Sequence, residues 1–277
     1  MTRYTQILIP TDQSDRTKQA LRWGMLVAQA HQAWAVGLHV RPDPTTALPL
    51  VGEGMSGAMV EDMLAVANKQ AQDRAGKAQA LFHEIAQSMG CDRVQWRDLT
   101  GREEELVARQ GRLSDLLVMS MPQSTMDIAA MLTLNAALME SGKPILLCPA
   151  MAEPVLPQRV AIAWNGSLEA SRTVSAALPI LTQAEQVLIL SAPDMAPQMP
   201  SAAELAGFLT HHGIDSRQVA MKSSHHAGQH ILDVCQGEGV QMLVMGAYTH
   251  SRLRQLIMGG VTRHMLDHSP IACLMGH

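Results

Sequence analysis

The chain carries one structural unit twice. Asp115-Leu-Leu-Val-Met-Ser120 and Gln241-Met-Leu-Val-Met-Gly246 stand 126 residues apart, and so do Pro144 and Pro270 in the closing stretches Glu140–Cys148 and Leu266–Leu274. About 30 residues align there without a gap. The openings correspond too: Gln6–Ser14 matches Arg159–Ser167 at an offset of 153, so that Asp12 faces Asn165 and Ser14 faces Ser167. The change in offset gives the first copy about 27 extra residues in its middle. A repeat of this length implies that each copy is a folding unit, and two such units suit 277 residues at roughly 150 per domain. The domains are expected at 1–149 and 158–277. The junction Pro149–Gln158, with Pro149, Pro154 and Pro157, reads as a short, stiff linker.

Within each copy, short apolar runs alternate with longer stretches of helical periodicity. The first copy places strands near Ile7–Pro10, Ala35–Val40, Val94–Arg97, Leu116–Met119 and Ile145–Cys148. The second places them near Val160–Trp164, Val187–Leu190, Gln218–Met221, Met242–Met245 and Ile271–Met275. Helical spacing fills Thr17–Ala30, Arg102–Arg109 and Ser167–Leu181. Such alternation implies a parallel sheet covered by helices on both faces. The fold class is therefore α/β, with two tandem doubly wound domains of five parallel strands each. The insertion at 42–90 opens with a Pro-, Gly- and Thr-rich loop, Pro42–Gly57. One helix of about 30 residues follows, its apolar stripe running from Val60, Met63, Leu64 and Ala67 to Ile85 and Met89. That stripe is expected to pack in a core or between domains.

Composition removes several function classes. Hydrophobic residues make up 47% and charged residues 17%, enough apolar side chain for a sizeable core and too little charge for a disordered chain. A net charge of −4 argues against a general nucleic-acid binder. No apolar run reaches the roughly 18 residues of a membrane span. Met1–Asp12 holds only the short run Ile7–Pro10, below the 7–15 residues of a signal core. The expected location is the cytoplasm. Cys91, Cys148, Cys235 and Cys273 form no C-x-x-C pair, so neither a disulfide framework nor structural zinc is expected. With 20 methionines against 3% aromatics, methionine is expected to fill the core.

The segment Gly246–Thr262 carries the strongest chemical signal. It follows a strand end, where open α/β sheets bind ligands, and runs into a helix over Val261–His268. Gly246 admits a close backbone approach. Gly259 and Gly260 leave amides unobstructed at a helix start, where the dipole favours an anion. Thr262 adds a hydroxyl, and Arg252 and Arg254 add positive charge. The bland alternative is a loop whose glycines serve only tight turns.

These residues resemble the universal stress protein family in its tandem form, over nearly the whole chain. The resemblance rests on the openings at Asp12/Ser14 and Asn165/Ser167, the loop Gly246–Thr262 and the closing Ser269–Leu274. It implies that the two copies pack as an internal pseudo-dimer through their last strands. It also implies a stress-response role, with ATP and Mg²⁺ as the cofactor. The family's glycine pattern is kept in spacing, with Thr249 in place of its second glycine. A β-branched residue there costs on the order of 1–2 kcal/mol where φ is positive. Asp12 matches the acid that contacts the nucleoside in ATP-binding members, and Asn165 holds that place in the second copy. The loop shows the reverse: Ser120, Thr133 and Leu134 stand where the second copy has Gly246, Gly259 and Gly260. The resemblance thus implies at most one nucleotide site, in the second copy, at Asn165, Gly246, Thr249, His250, Arg252, Gly259, Gly260, Val261 and Thr262. The first domain is expected to be mainly structural.

Nine of the twelve histidines lie after residue 210. His226 and His230, four apart, can share a helix face as a metal pair does; exposed polar histidines are the plainer reading, and no metal site is expected. His211 and His212 close a helix. There is no G-x-S-x-G and no H-E-x-x-H, so no catalytic residue is assigned. Glu103–Glu105 read as charges favourable at a helix start. Two rivals to nucleotide binding stand: a protein-interaction module with an unidentified partner or a second copy, and a slow ATP hydrolase or phosphotransferase using His250 or His264.

Overall fold

The computed structural model describes residues 3–43, 57–124, 126–191, 196–221, 226–247 and 260–277. The first half runs β1 (Gln6–Pro10), α1 (Asp15–His31), β2 (Trp34–Arg41), α2 (Gly57–Ser88), β3 (Val94–Thr100), α3 (Glu103–Gly111), β4 (Leu116–Ser120), α4 (Ile128–Glu140) and β5 (Ile145–Cys148). The second runs β6 (Arg159–Trp164), α5 (Leu168–Leu181), β7 (Gln186–Ser191), α6 (Ala202–His211), β8 (Ser216–Ala220), α7 (Ala227–Gly237), β9 (Met242–Gly246), α8 (Gly260–His268) and β10 (Ala272–Gly276). All ten expected strands are present. β8 begins two residues before its expected start, and β10 one residue after.

The strands form one sheet in the order β3-β2-β1-β4-β5-β10-β9-β6-β7-β8. Each half is parallel throughout, and the halves meet at a single antiparallel seam, where Cys273, Leu274 and Met275 oppose Leu147, Leu146 and Ile145. The expected pairing of last strands is thus realised as a continuous ten-stranded sheet. The seam covers two edges that would otherwise present unpaired backbone groups.

Alternation along the seam strands joins the cores as well. Leu146, Cys148 and Leu274 fall in one buried layer. Ile145, Leu147, Cys273 and Met275 fall in the other. Methionine fills the core as expected at Met25, Met242, Met245, Met265 and Met275. No helix among the described residues is long and apolar enough to cross a membrane.

The long inserted helix α2 departs from expectation in its first half. Ala71, Ala75, Ala78, Phe82, Ile85 and Ala86 are buried against β2, β3 and α1. Met59, Met63 and Val66 are exposed, and Val60, Leu64 and Ala67 are only half-buried. The apolar period continues through the helix, but the sheet beneath it does not. The packing is within the first half, not between halves.

Candidate functional site

In each half the chain reverses direction across the sheet between two central strands. β1 connects outward to β2 while β4 connects the other way to β5; β6 and β9 repeat the pattern. The crevice at the carboxyl ends of such a strand pair is the usual ligand site of an open α/β sheet.

The first turn after β6 is set by local hydrogen bonds. The Ser167 amide donates to Asn165 Oδ1 at 3.1 Å, and the Ala170 amide donates to Ser167 Oγ at 3.2 Å, capping α5. Gly166 takes φ 70, which a side chain would strain. Asn165 is exposed at the rim. Ala163 pairs with Met245, so Asn165 and Gly246 end adjacent strands.

Gly246 serves packing. A Cβ built there would lie 2.6 Å from the Ala170 nitrogen and 2.9 Å from the Glu169 carbonyl carbon. The close backbone approach expected at this glycine is therefore that of α5. Gly260 opens α8 and is exposed, and no described atom lies within 4 Å of where a Cβ would stand. Val261 is half-buried and Thr262 is buried. Thr249, His250, Arg252 and Gly259 lie outside the described residues, as does Arg254.

The first-half crevice is a cleft of about 200 Å³ between the ends of β1 and β4. Asp12 Oδ1 accepts from the Ser14 amide at 2.8 Å, from Ser14 Oγ at 2.6 Å and from Thr17 Oγ1. Burial pushes the Asp12 carboxyl up, but these bonds and the Arg16 charge outweigh it and hold the group below its ordinary value. Across the cleft, Asp127 caps α4: its Oδ1 accepts from the Ala130 amide at 3.3 Å, and its Oδ2 lies 3.1 Å from Arg16 Nη1. Ser120 Oγ donates to the Arg16 carbonyl at 2.7 Å. Glu103 is largely exposed as a residue, yet its carboxyl lines the cleft. Burial, then repulsion from Asp12 and Glu104, raises its pKa.

Sequence reading missed the parts of Arg16, Glu103 and Asp127 in this cleft. Asp127 standing just before the periodic run Ile128–Glu140 is a helix-cap signal that points to it. Nothing local to Arg16 or Glu103 does.

His226 precedes α7 and His230 lies on it. Among the described residues no group of three or more His, Cys, Asp or Glu is placed to hold a metal ion. Cys235 is buried and its thiol is pushed up to about 12, chiefly by burial. His264 packs on α7, where a Cβ at Gly228 would come within 2.7 Å of it. Its ring stacks on His268 at 4.4 Å.

The family model described as the universal stress protein family matches residues 3–91 and 158–277. No curated protein matches the sequence. Among solved structures, a universal stress protein from Archaeoglobus fulgidus DSM 4304 covers 98% of this chain and 95% of its own at 14% identity, with a TM-score of 0.67. A functionally unknown protein from Pseudomonas aeruginosa PAO1 covers 99% and 92% at 14% identity, TM-score 0.60. A putative universal stress protein from Pseudomonas aeruginosa UCBPP-PA14 covers 99% and 93% at 14% identity, TM-score 0.59. At such identity the likeness is one of fold.

Proposed function

This chain belongs to the universal stress protein family, and from that premise we propose that it is a cytoplasmic stress-response binding protein whose second half holds one adenine nucleotide, ATP with Mg²⁺. One contrast carries the reading. Among the described residues the helix after β9 begins on exposed Gly260, and no described atom lies within 4 Å of where a Cβ would stand. The helix after β4 begins behind Asp127, whose carboxylate already accepts from the Ala130 amide and pairs with the Arg16 guanidinium. A helix start attracts phosphate through its free amides and dipole. In the first half a built-in carboxylate takes that place, and Asp12 and Glu103 repel a second anion.

In the second half, Asn165 would meet the nucleoside end. The amides of Gly260 and Val261 would meet phosphate, with Thr249, His250, Arg252 and Gly259 completing the loop. Gly246 and buried Thr262 would hold the frame. The reading is binding without assigned turnover.

Exposed Met59, Met63 and Val66 on α2 favour a second reading, a nucleotide-independent interaction module. Calorimetric titration with ATP and Mg²⁺, beside a Gly260→Glu variant, separates the two. Saturable binding near one equivalent, lost in the variant, supports the nucleotide site. Absence of heat and of thermal shift up to millimolar ATP overturns it and leaves the module. Two equivalents would overturn the assignment of a single site.

A further inference from the structure

A second cavity, of about 240 Å³, lies where the two halves meet, at the amino ends of the strands and so at the opposite sheet edge from the nucleotide crevice. Val27 of α1, Leu156 and Pro157 of the linker, Ile180 of α5 and Met242 of β9 give it apolar walls. One polar side chain stands out among them. His31, the last residue of α1, is 4% exposed and lines the cavity.

Its ring is held on two sides. Tyr4 meets it edge-on at 4.9 Å, and Tyr4 is itself anchored by donating to the Ala176 carbonyl at 2.8 Å. Gln183 Nε2 lies 3.4 Å from His31 Nδ1. An amide nitrogen only donates, so Nδ1 accepts and the ring proton sits on Nε2. Nε2 has no hydrogen-bond partner among the described residues. The result is a pocket between two halves with five apolar wall residues, a polar rim of Gln158, Gln183 and Glu185, and His31 Nε2 as a fixed ring donor, which is how small-molecule sites are commonly built.

We propose that this cavity binds a small, uncharged, mainly apolar molecule with a hydroxyl or carbonyl oxygen that accepts from His31 Nε2. Size and charge select the class. An apolar cavity of about 150 Å³ holds a benzene ring, so this one has room for two fused rings. No described Lys or Arg lines it, whereas Glu185 does, so an anion finds no counter-charge. Burial lowers the His31 pKa and keeps the ring neutral at pH 7. The proposal does not depend on nucleotide binding in the second half.

The test is calorimetric titration of the full chain with 2-naphthol, naphthalene and 2-naphthoate, with circular dichroism melts of each variant. The expected result is saturable 2-naphthol binding near one equivalent. Naphthalene should bind about three- to tenfold more weakly, the worth of one hydrogen bond, and 2-naphthoate weaker still. His31→Phe should erase the difference between naphthol and naphthalene. Leu156→Trp, on the exposed linker, should block binding by narrowing the cavity while its melt stays that of the intact chain. ATP at millimolar concentration should leave naphthol binding unchanged. No saturable naphthol binding by the intact chain, naphthoate binding as tight as naphthol, full affinity in a folded Leu156→Trp protein, or displacement by ATP would each overturn the proposal.

Discussion

Arg16 and Asp127 close the helix start that faces the first-half cleft. The guanidinium Nη1 lies 3.1 Å from one carboxylate oxygen, and the other oxygen accepts the Ala130 amide. Each side chain is about one-third exposed, at 33% and 28%, so the ion pair itself contributes only about 0–1 kcal/mol. The cap contributes more, because it answers a helix amide that otherwise lacks a partner.

Asp127→Ala should therefore lower stability by about 1 kcal/mol in urea denaturation, and Asp127→Asn by distinctly less, since Asn caps as well as Asp. Equal losses in both would show that the charge, not the cap, matters. The Arg16 hydrogen bond first, then the Ala130 amide, holds the Asp127 carboxyl below its ordinary value. Its contribution should be complete above the unfolded carboxylate pKa of about 3.9 and fade as pH falls through the lower folded value.

Two glycines of the second half should respond oppositely to alanine. At Gly246 the new methyl meets the fixed backbone of α5 at 2.6 Å, so Gly246→Ala should cost about 1–3 kcal/mol. At Gly260 it meets no described atom, so Gly260→Ala should change stability by less than about 0.5 kcal/mol. Paired denaturation curves check both; a tolerated Gly246→Ala would mean that α5 shifts freely.

Asp12 and Glu103 should shift in opposite directions although both carboxylates face one cleft. Carboxyl-carbon NMR should find Asp12 below its ordinary midpoint of 3.8 and Glu103 above its ordinary 4.5. Burial is the larger cause for Glu103, and repulsion from Asp12 comes next. Asp12→Asn should thus move the Glu103 midpoint part of the way back down. For stability the signs are opposite. Asp12 stabilises above its unfolded pKa and loses that as pH falls through its folded value. Glu103 opposes folding once ionised and is best tolerated when protonated.

The four cysteines are all buried. Thiols of Cys235 and Cys273 are pushed up to about 12, mainly by burial, and that of Cys148 is raised well above its ordinary value. At pH 7 a thiol at about 12 is thiolate in only on the order of one molecule in 10⁵, and thiolate is the reactive form. A disulfide reagent such as Ellman's should label these three only as fast as the chain unfolds, and guanidinium should expose all four. Rapid labelling of Cys273 in the folded chain would show that the β5–β10 seam opens.

The repeat, the ten strands and the parallel halves were legible because each rests on a local pattern or on Pro144 and Pro270 recurring at one spacing, whereas the seam was expected only from the family resemblance. The correspondence of Asp12 and Ser14 with Asn165 and Ser167 was legible as a repeat, but that each pair closes a turn at its helix start came from the hydrogen bonds of the structure. What Gly246 admits was legible only in part, since a glycine signals close approach but not what approaches. The contacts between Arg16 and Asp127, His31 and Gln183, and Asp12 and Glu103 were not legible. Their partners are far apart in the chain, and no spacing rule links them. The α2 stripe makes the same point from the other side. Leu64 and Phe82 stand five turns apart on one helical face, yet Leu64 is only half-buried and Phe82 is buried, because periodicity sets which face of a helix is apolar, while the reach of the sheet beneath decides how much of that face is covered.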